Sequence, residues 1–103
     1  MIKEVSKRDG RKIPFNEDKI SRAIYLAGIQ TKGEDGEGFD YTRAEQLAHK
    51  VVHNLNKAFH DQVPGVEEIQ DAVVQVLIRE GHVKISEQYI LYRAERSRIR
   101  DSK

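Results

Sequence analysis

The chain has 103 residues, which fits one domain of ordinary size and leaves no room for a second domain with its own core. Hydrophobic residues make up 38% and charged residues 34%, a composition that predicts a compact, heavily charged helical domain rather than a disordered chain. The 18 Lys and Arg nearly balance the 17 Asp and Glu, so the net charge of +1 argues against a dedicated nucleic-acid binder or a polybasic membrane binder.

The chain contains no cysteine, which excludes disulfides, thiolate metal sites, thiol nucleophiles and thiyl radicals from it. No stretch approaches the roughly 20 apolar residues of a membrane span. The first residues, Met1 to Glu4, lack the apolar run of a signal peptide. We therefore expect a cytoplasmic location.

Residues 2–15 predict a β-hairpin, because Asp9-Gly10 lies between two short extended runs and is a strong hairpin signal. Pro14 cannot donate a hydrogen bond to a strand ladder, so the second strand is short or lies at an edge. The expected connection is a two-residue turn with Asp9 and Gly10 at its centre.

A first helix is predicted from the N-cap Asn16 to about Gly28, with acidic residues in its first turn and apolar residues at helical spacing. The glycine-rich acidic segment Thr31–Asp40 reads as a loop. A second helix follows, for which Thr42 and Glu45 suggest a capping box.

Residues Val63–Val66 form an extended break that is a candidate third strand. A third helix follows and is predicted to end at Gly81. A fourth begins near Ile85, with Ser86 as a candidate cap, and is basic and amphipathic. The expected fold is α+β and mainly α, in which four helices share one core and the hairpin covers one side.

Charge is unevenly distributed, because both ends of the chain are basic and the loop between the first two helices is acidic. A two-residue turn would place Arg8 opposite Arg11 and Lys7 opposite Lys12, and like charges directly opposite each other destabilise a strand pair. An anion among them would relieve this repulsion, and Lys19 at the start of the next helix can reach the same place. The alternative is a solvated turn whose long side chains separate in water.

Other polar constellations are weaker signals. His49 and His53 lie at i and i+4, but no third metal ligand is evident, so a solvated helix face is the expected interpretation. Tyr89 and Tyr92 have the spacing of core residues, although either could stack on a base. The arginines after residue 92 are typical of a solvated face or a junction to another domain. No catalytic motif is present in the sequence.

Three segments in this order resemble the ATP-cone domain: Val5–Phe15 followed by Lys19-Ile20, then Val66–Val73, and finally Tyr89–Arg96. Their motifs are KRDG, EIQDAV and YILYR, and the resemblance covers about residues 3 to 97. Within the family, the chain looks most like the N-terminus of anaerobic ribonucleoside-triphosphate reductases. The resemblance implies a four-helix bundle capped by a small three-stranded sheet, which binds ATP or dATP as an allosteric effector.

The resemblance also implies which residues surround the nucleotide. They are Val5, Ile13 and Ile20 against the adenine, Lys7, Arg8, Lys19 and Arg96 at the phosphates, and Gly10, Asn16, Gln70, Tyr92 and Arg93 elsewhere around the ligand. Some cones carry Glu at the position of Ile13. We expect Mg²⁺ to accompany the nucleotide and expect no protein-bound metal.

The resulting hypothesis is a non-catalytic nucleotide sensor, a single cone over residues 1–103 that is either the regulatory domain of a longer reductase, which we favour, or a free-standing cone. ATP would favour the active enzyme and dATP would oppose it. Its expected partners are the nucleotide and the catalytic domain of the reductase, with an oligomer formed through the cone as a further expectation and no nucleic acid or membrane. The alternatives are the cone of a nucleotide-dependent transcriptional repressor, a family that carries a zinc ribbon, and a degenerate cone that acts only in protein interaction.

Overall fold

A computed structural model of the chain describes residues 1–31 and 38–101, with side chains described up to residue 95. The predicted hairpin and four helices are confirmed. In chain order the elements are β1 (Glu4–Ser6), β2 (Lys12–Pro14), α1 (Glu17–Gln30), α2 (Tyr41–Phe59), α3 (Val66–Arg79) and α4 (Val83–Asp101). Among these helices none combines the length and apolar character that a membrane span requires.

β1 and β2 pair antiparallel, with Val5 directly opposite Ile13. At the tip of the hairpin, the Lys7 backbone N–H donates to the Arg11 carbonyl over 2.7 Å and the Gly10 N–H donates to the Lys7 carbonyl over 2.9 Å. The connection therefore has three residues, Arg8 to Gly10. The predicted two-residue turn is wrong.

The backbone at Gly10 explains the longer connection. Gly10 has a φ of +89°, and Asp9 has no positive φ, whereas a two-residue turn of the Asp-Gly type needs positive φ at both central residues. A single left-handed glycine at the end of a three-residue connection avoids that strain. As a result Lys7 lies opposite Arg11, Arg8 projects from the tip, and one pair of like charges replaces the two that were predicted.

The expected third strand is reduced to one contact. Ser6 forms an isolated parallel bridge with Gly65, and its N–H donates to the Pro64 carbonyl over 2.9 Å. Pro64 has no N–H for a ladder, and α3 begins at the next residue but one, so the pairing cannot continue. The sheet in the described part of the chain has two strands, and this bridge fastens the hairpin to the start of α3.

α1 begins as predicted but ends later. The Asn16 side chain accepts a hydrogen bond from the Asp18 N–H over 3.0 Å, which confirms the predicted cap. The helix continues past Gly28 to Gln30 and ends at Thr31, so the predicted end at Gly28 is wrong. Gly28 instead permits close approach, because a Cβ there would collide with the ring of Phe39. Most of the predicted loop after Thr31 lies outside the described residues.

The starts of α2 and α4 differ from the predicted ones. The cap of α2 is Asp40, whose side chain accepts from the Arg43 N–H over 2.8 Å, and the predicted capping box at Thr42 is wrong because that residue is already inside the helix. α4 begins at Val83, so Ser86 lies in its first turn and its hydroxyl donates to the Val83 carbonyl.

The core lies between the helices. α1 contacts α2 and α4, and α3 contacts α2 and α4, so each helix has two helical neighbours. Aliphatic side chains from all four helices and the hairpin are buried there, which stabilises the fold by removing apolar surface from water. The largest fully buried members are Ile24, Leu47, Leu55, Leu77 and Ile85. The description of this arrangement as a bundle stays a prediction.

Candidate functional site

The hairpin tip carries two arginines that both have carboxylate partners. Arg8 Nε lies 3.1 Å from Glu67 Oε1 in the first turn of α3, and both side chains are about half exposed. Arg11 Nε lies 2.7 Å from Asp9 Oδ2 within the tip. Hydrogen bonds from Arg11, above all from its backbone N–H, lower the pKa of Asp9. The local pair at Asp9 therefore orders the tip, and the pair at Glu67 joins it to α3.

The lysines near the tip differ from these arginines. Lys7 is half-buried, Lys12 and Lys19 are exposed, and none of the three forms a salt bridge with another described residue. Lys19 lies in the first turn of α1, directly after the hairpin, and its N–H donates to the Asn16 carbonyl over 3.2 Å. These ammonium groups, together with the helix N-terminus, can attract an anion.

The three apolar residues predicted to contact a base lie in the two strands of the hairpin and at the start of α1. Val5 and Ile20 are each 7% exposed and belong to the hydrophobic core, whereas Ile13 is only partly buried. Gly10 lies at the tip, and a Cβ there would meet nothing within 4 Å. Of the three apolar residues, Ile13 therefore offers the most surface to a flat ligand.

Of the residues predicted from α3 and α4, Arg93 joins the two helices. Arg93 Nη1 is 3.2 Å from Asp71 Oδ1, and Gln70, the neighbour of Asp71, is half-buried. Tyr92 is half-buried as well. The side chain of Arg96 lies outside the described residues. The structure thus brings Arg8 and Arg93 to one helix, α3, at Glu67 and Asp71 respectively.

Tyr89, by contrast, belongs to the core, in line with the interpretation of its spacing. Its side chain is 5% exposed, and burial raises the pKa of its hydroxyl to about 12. It therefore stays protonated in the range of neutral pH.

Sequence reasoning missed the two carboxylates of α3. Glu67 and Asp71 are four residues apart in one helix, so they lie on the same face. That spacing was readable in the sequence as a pair of acidic side chains facing one way. What it could not indicate is which cations they meet.

A second polar region lies at the other end of α3. An open cleft of about 360 Å³ separates α2 from α3, and its lining includes His53 and Arg79. Glu80 and Lys50 also line the cleft, where Glu80 Oε1 accepts a hydrogen bond from Lys50 Nζ over 2.6 Å and lies 3.5 Å from Arg43 Nη2. The hydrogen bond from Lys50 lowers the pKa of Glu80, and Arg43 adds to this effect.

The histidines of α2 are both exposed, as expected for a solvated face. His49 Nδ1 lies 2.6 Å from Glu17 Oε2 at the start of α1. Within the described part of the chain, no group of three or more His, Cys, Asp or Glu side chains could hold a metal ion.

A mainly helical domain with a basic hairpin fastened to the N-terminus of α3 is the type of structure that the resemblance implied. The chain belongs to the ATP-cone family: the family model described as the ATP cone domain matches residues 3–98. This confirms the resemblance that the hairpin, EIQDAV and YILYR motifs carried.

Three relatives illustrate the similarity. The chain is 44% identical over 108 residues to the vitamin B12-dependent ribonucleoside-diphosphate reductase of Thermoplasma acidophilum, in an alignment with 100% of this chain and 13% of that protein. It is 36% identical over 103 residues to the ribonucleoside-diphosphate reductase subunit alpha of Chlamydia muridarum, in an alignment with 96% of this chain and 10% of that protein. It is 34% identical over 103 residues to the anaerobic ribonucleoside-triphosphate reductase of Salmonella typhimurium, in an alignment with 100% of this chain and 13% of that protein.

The chain therefore spans only 10 to 13% of the length of these relatives. Because they are three differently named ribonucleotide reductases, the similarity extends across them and does not single out the anaerobic one. The expected relation to ribonucleotide reductases is confirmed, and the particular type of reductase stays a proposal.

Proposed function

We propose that this chain is a nucleotide-binding regulatory domain of a ribonucleotide reductase, that it is not itself catalytic, and that ATP and dATP are its effectors. The observation that supports this most directly is the basic hairpin tip fastened to α3 in a chain that belongs to the ATP-cone family. The chain covers only 13% and 10% of two reductase relatives, which supports a role as a segment of a longer reductase; a cytoplasmic location is part of the proposal. An anaerobic triphosphate reductase is the parent that the hairpin and YILYR motifs favour.

In the proposed complex the triphosphate lies against the cations Lys7, Arg8 and Lys19, with Mg²⁺ bound to it. Hydrogen bonds between ionised partners are stronger than neutral ones, so these residues supply most of the binding energy. The adenine lies against Ile13, beside which its cross-strand partner Val5 packs into the core. Asn16 and Gly10 contribute through the backbone around the ligand, because Asn16 caps α1 and Gly10 provides the positive φ of the hairpin connection.

The remaining residues of the proposed site come from three helices, α1, α3 and α4. They are Ile20 beneath the base, Gln70 on α3, and Tyr92, Arg93 and Arg96 on α4. Regulation requires that ATP and dATP bind two arrangements of the domain with different affinity, because a ligand with equal affinity for both shifts neither. Contacts from α3 and α4 are suited to sense the ligand, since these helices also contact α1 and α2.

The test is a calorimetric titration of the chain with ATP and with dATP in the presence of Mg²⁺, beside Lys7→Ala. Lys57→Ala in the last turn of α2 is the matched control, because it removes the same charge from an exposed lysine that is not part of the proposed site. We expect saturable binding by the wild type, at least tenfold weaker binding by Lys7→Ala, and no change in Lys57→Ala.

Equal loss in both lysine variants would show attraction by net charge alone, and absence of binding by the folded wild type would contradict the proposal. A repressor cone would instead bind duplex DNA with an affinity that falls steeply as salt is raised. In the parent reductase, Lys7→Ala should remove the response to dATP while leaving turnover without effector unchanged.

A further inference from the structure

Two arginines of the proposed site are already paired with carboxylates of one helix. Arg8 Nε is 3.1 Å from Glu67 Oε1, and Arg93 Nη1 is 3.2 Å from Asp71 Oδ1. One arginine comes from the hairpin and the other from α4, so the two carboxylates of α3 hold cations from both sides. A phosphate that approaches Arg8 or Arg93 therefore meets an arginine that already has a carboxylate within hydrogen-bond distance.

We propose that Glu67 and Asp71 compete with phosphate for Arg8 and Arg93, so that they occupy these arginines until a polyphosphate displaces them and thereby set the affinity of the site. This inference rests on the proposed function, because it needs a nucleotide that binds at the hairpin. It adds two residues to the site that contribute by opposing the ligand rather than by contacting it.

The exposure of the pairs makes them displaceable. The side chains of Arg8 and Glu67 are 49% and 61% exposed. In the second pair Asp71 is 65% exposed and Arg93 is 29% exposed, so the carboxylate is the solvated member of that pair. Ion pairs at such exposed positions contribute little to stability, so a ligand with several phosphate charges can replace them. The displaced carboxylate can turn into water, whereas the arginine gains a partner with a higher charge.

The two ion pairs also connect ligand binding to the contacts that the hairpin and α4 make with α3. The pair at Glu67 links the hairpin to α3, and the pair at Asp71 links α4 to α3. A ligand that takes both arginines removes both links. A ligand too short to reach Arg93 removes only the first, so the number of links broken depends on how far the phosphate chain extends.

The experiment is a double-mutant cycle on ATP binding with Glu67→Gln, Arg8→Gln and the double variant. Glu45→Gln is the control for net charge, because Glu45 is an exposed carboxylate of α2 that is not part of the proposed site. Glutamine keeps the size of the side chain and the helix, and thermal denaturation monitored by circular dichroism verifies folding of each variant.

We expect Glu67→Gln to bind ATP about two- to fivefold more tightly than the wild type, with Glu45→Gln near the wild type. In the Arg8→Gln background the gain from Glu67→Gln should fall to that of the charge control, because the competition passes through Arg8. Asp71→Asn should behave in the same way with respect to Arg93→Gln.

An unchanged or weaker affinity in Glu67→Gln would overturn the inference, as would an equal gain with and without Arg8, which would indicate simple repulsion. If the wild type binds ATP, Lys7→Ala weakens binding and Glu67→Gln does nothing, this inference fails and the proposed function stands. If neither the wild type nor Glu67→Gln binds ATP, the proposed function fails and this inference with it.

Discussion

The two ends of α3 use the same kind of ion pair in different ways. At the N-terminal end, Glu67 has one ion-pair partner among the described residues, Arg8, and both side chains are about half exposed. At the C-terminal end, Glu80 is shared by Lys50 and Arg43, and its side chain is only 27% exposed. One carboxylate has one solvated partner, whereas the other connects two cations of α2 to the end of α3.

The difference shows which charges are available to a ligand. A shared and partly buried carboxylate is costly to leave without its cations, so Glu80 serves as a clamp between two helices. An exposed single pair contributes little and is readily exchanged. Proximity of charges therefore does not identify a binding site, whereas exposure and the number of partners separate the displaceable pairs from the structural ones.

The largest expected effect is a loss of stability, and it comes from a substitution in the part of the hydrophobic core that α3 contributes. Leu77 is fully buried in α3, so Leu77→Ala should lower the free energy of unfolding by about 2–5 kcal/mol through lost burial and a cavity. Ile78→Ala, at the neighbouring position that is 51% exposed, is the control and should change it by less than about 1 kcal/mol. Urea denaturation measures both, and equal effects would show that Leu77 is not in the core.

A lysine exchange sharpens the comparison between binding and clamping. Lys19→Ala should weaken ATP binding about tenfold and leave the melting temperature unchanged, because Lys19 is exposed and forms no salt bridge within the described residues. Lys50→Ala should lower the melting temperature and leave ATP binding unchanged, because Lys50 donates a hydrogen bond to Glu80 over 2.6 Å. Calorimetry and thermal denaturation of the two variants test this, and a loss of ATP affinity in Lys50→Ala would place the ligand at the wrong end of α3.

The clamp should also depend on pH. The pKa of Glu80 lies below its ordinary value of 4.5, chiefly because of the hydrogen bond from Lys50, so its contribution to stability is complete above that pH. It is lost as the pH falls through the folded-state pKa. Glu80→Gln should therefore melt at a lower temperature than the wild type at pH 7, and the difference should shrink below about pH 4.5. A difference that is constant with pH would argue against the clamp.

The smallest expected effect is at the N-terminal end. Glu67→Gln should change the free energy of unfolding by no more than about 1 kcal/mol, as measured by urea denaturation at pH 7. A double-mutant cycle with Arg8→Gln isolates the pair from the favourable effect of an acid at a helix N-terminus. A coupling well above that limit would make the pair structural and remove the contrast between the two ends of α3.

Local signals predicted the elements well where one short segment decides the structure. The Asn16 cap and the hairpin were predicted from neighbouring residues, because capping and turns depend on contacts a few residues apart. The predicted helix end at Gly28 was wrong because the role of this glycine is not local. It leaves room for the ring of Phe39, which the pattern of a glycine at a helix C-terminus cannot show. The capping box at Thr42 failed because a better cap, Asp40, precedes it.

For the candidate site, the sequence by itself determined the cations, the apolar residues beside them and the family, because residue types and their spacing are already present in the chain. Only the tertiary structure decided which of those cations are paired. Arg8 and Glu67 belong to segments far apart in sequence, and they meet because the bridge between Ser6 and Gly65 brings the hairpin to the start of α3. Contacts of this kind depend on packing between distant elements, and no local pattern encodes them.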